Sequence, residues 1–102
     1  VSKTYAQVVT EERRLQTLRL LAATKPDYRA NSAILRDGLR AEHQHALSRD
    51  QMHTELAWLQ EQGLLILEVV GSAVVASLTS RGLDVAEGTA EVPGVKRASA
   101  LG

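Results

Sequence analysis

The sequence predicts a small α+β domain: three helices, a two-stranded antiparallel hairpin and a short closing helix. Three observations carry that expectation. Apolar residues recur at helical spacing in three successive segments, each opened by a residue suited to capping. Two apolar runs, "LLILEVV" and "AVVASL", meet at Gly71-Ser72, a dipeptide suited to a tight turn. Thr79 and Gly88 then bracket a last short segment, "SRGLDVAE", as a cap and a stop.

The first helix is expected over "TEERRLQTLRLLAA", with Thr10 accepting from free backbone N–H groups. Glu11 and Glu12 suit the positive end of its dipole, and Leu15, Leu18, Leu21 and Ala22 form its buried stripe. Tyr5 and Val8 would anchor an extra turn over residues 3–9. Pro26 disfavours helical geometry at Lys25 and breaks the pattern. The second helix, "SAILRDGLRAEH", has Asn31 or Ser32 as its cap and turns Ile34, Leu35 and Leu39 inward. Gly38 costs a helix interior about 1 kcal/mol relative to Ala, which close approach of a neighbouring helix accounts for.

After the apolar anchor Leu47, Ser48 and Gln51 make a capping box for the third helix. Met52, Leu56 and Leu59 share its inner face, Gly63 stops it, and Arg49, Gln51, His53 and Thr54 stand on the other side. Pairing Val70 with Ala73 puts Leu65, Leu67, Val69, Val74, Ala76 and Leu78 on one wholly apolar hairpin face, which is expected to be core. The opposite face, from Ile66, Glu68 and Val70 to Ala73, Val75 and Ser77, is mixed. The folded domain is therefore expected over residues 1–88. Residues 89–102 have little to bury and read as a flexible tail.

Composition limits the function. A chain of 102 residues allows one modest core, and with no Phe and only three aromatics (Tyr5, Tyr28 and Trp58) that core must be aliphatic. The absence of Cys excludes disulfide and thiolate chemistry and fits a reducing compartment. No segment reads as a signal peptide, and the apolar stretch from Val69 to Leu78 is too short to span a bilayer. A soluble cytoplasmic protein, not engaged with a membrane, is expected. The net charge of zero hides an asymmetry: residues 1–49 carry nine basic and five acidic side chains, residues 50–102 three and seven. A dipolar chain can still present one positive face.

Three helices, a two-stranded ribbon and a fourth helix follow the order of a winged helix-turn-helix. The run "LSRDQMHTELAWLQEQGLL" resembles the capped recognition helix and exit of ArsR-, MarR- and PadR-type regulators. "LTSRGLDVA" is similar to the strand-to-helix junction of that superfamily. More narrowly, "VVTEERRLQTLRLLA", these two segments and the tail "VPGVKR" resemble a small winged-helix family of Mu-like phages and prophages, often labelled ArsR-like regulators. The resemblance spans nearly the whole chain.

A DNA-binding regulator is the function expected of this arrangement. Ser48, Arg49, Gln51, His53 and Thr54 occupy the part of the third helix that enters the major groove in a helix-turn-helix. Arg49 suits guanine and Gln51 suits adenine, each through two parallel hydrogen bonds. Arg36 and Arg40, one turn apart, suit backbone phosphates, with Arg29 extending the clamp. Against this, the span 48–62 sets Arg49 against Asp50, Glu55 and Glu61, and the hairpin has no Lys or Arg. Few phosphate contacts per chain imply a homodimer on two half-sites. The competing expectation is a protein-interaction adaptor in phage assembly or packaging, with a phage or host partner and Trp58 as an anchor. The mixed hairpin face, with Ile66, Val70 and Val75, is more apolar than a solvated ribbon needs and is open to cover by the tail through Val92, Pro93 and Val95 or by a second subunit. Trp58 reads more simply as the edge of the core. Enzymatic readings are weak. Helical spacing does not place Ser48, Asp50 and His53 as a triad, and His43, His45 and His53 read as surface histidines, not zinc ligands. Nor does "TSRGLD" make a phosphate loop. No cofactor and no metal are expected.

Overall fold

Each helix begins where a short side-chain oxygen satisfies a backbone N–H that the helix itself leaves free. In the computed structural model, which describes residues 2–99, those side chains are Thr4, Asn31, Ser48 and Thr79. They open α1 (Tyr5–Ala22), α2 (Ser32–His43), α3 (Arg49–Glu61) and α4 (Ser80–Glu87). Strands β1 (Arg29–Asn31), β2 (Leu65–Val70) and β3 (Ala73–Leu78) form a three-stranded antiparallel sheet in the order β1-β3-β2. The described residues thus make an α+β fold of four helices on one small sheet.

Helix α1 starts earlier than Thr10. Thr4 Oγ1 accepts from the Gln7 amide at 3.2 Å while Gln7 Oε1 accepts from the Thr4 amide at 2.8 Å, a reciprocal box. Thr10 therefore lies within the helix. Leu15, Leu18 and Leu21 are buried as expected, with Ala22 packed at the edge of the core. Tyr5 and Val8 do not anchor the first turns; they are exposed, because these turns have no element beneath them.

The hairpin has the expected turn and register. Gly71 sits at φ +62°, Ser72 stays out of the left-handed region, and Val70 faces Ala73. It is not, however, a free two-stranded ribbon. The three residues of β1 pair with β3, Arg29 against Ser77 and Asn31 against Val75, and Leu78 donates to the Tyr28 carbonyl at 2.8 Å. "RAN" is too short to show an alternating pattern, so no sequence signal announces it. The apolar hairpin face is core only at its base. Leu65 and Ala76 are buried and Leu67 and Leu78 pack beside them, whereas Val69 is 75% exposed. The strands outrun the helices below them.

Leu35 and Leu39 of α2, Met52, Leu56 and Leu59 of α3, and Val85 and Ala86 of α4 add to the interior. Ile34 points outward, 60% exposed, about 100° around the helix from Leu35. Gly38 faces α1, where an added Cβ would lie 3.1 Å from a Leu20 methyl. Gly38→Ala therefore sets about 1 kcal/mol of helix propensity against a small displacement of a flexible side chain. The expected result is a change within about 0.5 kcal/mol in urea titration; a loss several times larger would mean that Leu20 cannot yield.

The tail departs most from expectation. Within its described part, residues 89–99, Val92, Val95 and Ala98 are buried in the main core. The Lys96 amide donates to the Glu11 carbonyl at 3.1 Å, and Arg14 Nη1 to the Gly94 carbonyl at 3.0 Å. This segment therefore lies along α1, not over the hairpin, and it does find something to bury. Lys96 also meets Glu12 Oε2 at 3.0 Å. Burial pushes the Glu12 carboxyl up, but hydrogen bonds from Lys96 and Gln16 outweigh it and hold the group below its ordinary value. Nearby, burial and the charge of Arg13 hold His45 below the usual histidine range. Residues 100–102 lie outside the described residues.

Candidate functional site

The outer side of α3 is set by its first turn. Ser48 Oγ accepts from the Gln51 amide at 3.1 Å, and Gln51 Oε1 accepts from the Ser48 amide at 2.9 Å. The box fixes where the helix begins, and it also occupies the Gln51 carbonyl oxygen, leaving the side-chain NH2 free. Two-point pairing with adenine uses both ends of that amide, so it requires the box to open. Arg49, Gln51 and Thr54 are exposed. His53 is half-buried, with Nε2 3.2 Å from Ser32 Oγ, and links α3 to the start of α2. Of the five residues expected on this side, four reach solvent at the start of α3 and one braces the two helices.

Glu55 changes the electrostatics of this face. It is buried beneath α3, 3.1 Å from Arg13 and 3.3 Å from Arg14, both on α1. Arg14 in turn stacks on Trp58, its guanidinium carbon 3.8 Å from the ring centroid. Glu55 thus adds no negative charge to the outside of α3, where Asp50 and Glu61 remain. Trp58 is the covered edge of the core, lying against Gly94 of the tail.

The basic residues divide in a similar way. Arg13 and Arg14 are consumed by Glu55, and Arg29 pairs with Glu68 on β2, so Arg29 does not extend a clamp on α2. Arg36, Arg40 and Arg49 have no hydrogen-bond or ion-pair partner among the described residues. Arg36 and Arg40 border one small depression with Asp37 and Leu47. Arg36 and Arg49 border a second, larger cleft together with the hairpin turn at Ser72. That turn was not legible as part of the site, because its position beside α2 comes from the β1 pairing.

Among the described residues no group of three His, Cys, Asp or Glu side chains is placed to hold a metal ion. No helix among them is long and apolar enough to cross a membrane.

Over 90 residues the chain is 47% identical to the uncharacterized protein gp26 of Escherichia phage Mu, an overlap of 88% of this chain and 91% of that protein. It is 41% identical over 80 residues to an uncharacterized protein of Haemophilus influenzae, covering 78% of this chain and 76% of that one. No family model matches the chain.

Proposed function

This chain belongs to the family of gp26 of Escherichia phage Mu, and from that premise we propose a phage- or prophage-type DNA-binding regulator built as a winged helix-turn-helix. In this reading α3 enters the major groove and the β2–β3 hairpin is the wing. The observation that carries it is the grouping of Arg36, Arg40 and Arg49, all without partners, around the start of α3, while Glu55 is turned inward. Unpaired arginines collected on one side are the electrostatic footprint of a polyanion site. The order of elements, with α2 and α3 joined by a short turn ahead of the hairpin, supports the same reading.

The roles follow from exposure. Ser48 caps α3, Arg49, Thr54 and the free Gln51 amide read or position the groove, His53 braces α3 on α2, and Arg36 and Arg40 meet phosphates. The two phosphate contacts per chain, from Arg36 and Arg40, give a modest salt slope of about −0.9 each, so tight binding requires a homodimer on two half-sites. Selection from a random oligonucleotide pool at physiological salt tests the proposal. Enrichment of an inverted repeat supports it, and a pool that never departs from random sinks it. Against the enriched sequence, Arg49→Ala is expected to lose about 1–3 kcal/mol of binding free energy, measured by fluorescence anisotropy; undiminished affinity removes Arg49 from the contact.

One observation favours a second reading, a protein-interaction adaptor of phage assembly or packaging. Strand β2 of the hairpin carries Ile66, Val69 and Val70 at 59%, 75% and 51% exposure, more apolar surface than a DNA-facing wing needs.

A further inference from the structure

The hairpin turn, the start of α2 and the start of α3 enclose a cleft of about 290 Å³. Its shape is held by β1, whose last residue, Asn31, both pairs with Val75 and caps α2. The pairing holds β3 beside the start of α2 as far as Val75, two residues short of Ala73, and so sets where the turn lies. Three side chains from three elements border the cleft with unused donors: Arg36 from α2, Arg49 from α3 and Ser72 from the turn. Two other polar atoms of the lining residues are already engaged. Asn31 Oδ1 accepts from the Ile34 amide at 2.8 Å, and Ser32 Oγ meets His53. No carboxylate borders it, and the rest of the wall is small and apolar.

Two arginines bordering one cleft, neither with a partner, repel each other unless an anion lies between them. Each presents a planar fork of N–H donors that pairs with carboxylate or phosphate oxygens, and two forks on one anion call for more oxygens than a single carboxylate or a halide offers. We propose that this cleft is a phosphate-binding site, holding one phosphate group between Arg36 and Arg49 with the Ser72 hydroxyl as a further donor. The proposal deepens the DNA reading without needing base recognition. If the phosphate is that of a duplex, Arg49 grips the backbone and sets the register of α3, and sequence is read further along the helix. The same chemistry would serve a free phosphate or a phosphate monoester.

The test titrates the 15N-labelled full chain, at ionic strength held constant with chloride, with inorganic phosphate and separately with a short duplex of unrelated sequence. The expected result is saturable shifting of the Ala33, Arg36, Arg49 and Ser72 amides by both probes. Arg36→Gln and Arg49→Gln should each weaken inorganic phosphate binding about tenfold and flatten the duplex salt slope by about one, with urea midpoints unchanged. A response to phosphate in a protein that does not bind the duplex keeps the site, assigns it to free phosphate and sinks the DNA reading. Duplex binding with the cleft silent to both probes overturns the site and leaves the DNA reading standing. A phosphate response that survives in both variants, or that chloride reproduces, also overturns it.

Discussion

Glu55→Ala is expected to lower the unfolding free energy by about 3–5 kcal/mol, the usual cost of removing one partner from a buried ion pair. The carboxylate lies between Arg13 and Arg14, with side chains 19% and 16% exposed against 9% for Glu55 itself. Partial access of water to both arginines favours the lower part of that range. The loss should reach beyond the pair, because Arg14 also stacks on Trp58 and donates to the Gly94 carbonyl of the tail. With its anion gone, Arg14 is free to turn toward water and uncover both. Trp58 is the sole tryptophan, so its fluorescence reports this contact directly in a urea titration. Glu55→Gln, which keeps the shape and some hydrogen bonds, should lose less than Glu55→Ala. Equal urea midpoints for the parent and Glu55→Ala would show that the ion pair holds nothing together.

Gly82→Ala should be at least as damaging, for a steric reason. A Cβ at this position would lie 1.9 Å from the Leu64 carbonyl oxygen and 2.7 Å from a Leu78 methyl. Where the obstacle is a flexible side chain, overpacking costs about 1–3 kcal/mol; here it is backbone. That same Leu64 oxygen accepts from the Thr79 amide at 3.2 Å, and Gly82 gives its own amide to Thr79 Oγ1 at 3.0 Å. Moving α4 away to make room therefore strains its own cap. The gain of about 1 kcal/mol in helix propensity is too small to compensate, and a net loss above about 3 kcal/mol is expected. Thermal melting followed by circular dichroism measures it. A midpoint within a degree or two of the parent would mean that α4 is free to shift on β2.

These two residues mark the boundary of what could be read before folding. Gly82 stands in "LTSRGLDVA", where Thr79 and Gly88 locate α4 as a cap and a stop, yet nothing in that string says which backbone it touches. Glu55 counts as a surface charge on α3 when the helix is read alone, because a lone acidic residue beside an apolar stripe normally faces water. Its partners are 41 and 42 residues away in sequence. The Thr4–Gln7 box is local enough to be legible in the sequence, but the acidic pair after Thr10 offers a second start to the same helix.

The order of residues alone specifies the caps of α3 and α4, the Gly71 turn, the Val70–Ala73 register and the leucine stripes, and narrows the cap of α2 to Asn31 or Ser32. Each of these depends on residues within a few positions of one another, where backbone hydrogen bonding and side-chain period leave little choice. Tertiary structure alone decided that β1 joins the sheet, that Val92, Val95 and Ala98 close the core, that Glu55 is neutralised from α1, and that Arg36, Arg49 and Ser72 share a cleft. Those outcomes join groups far apart in the chain. Their free energy comes from desolvation and pairing across packed elements, which no local pattern encodes.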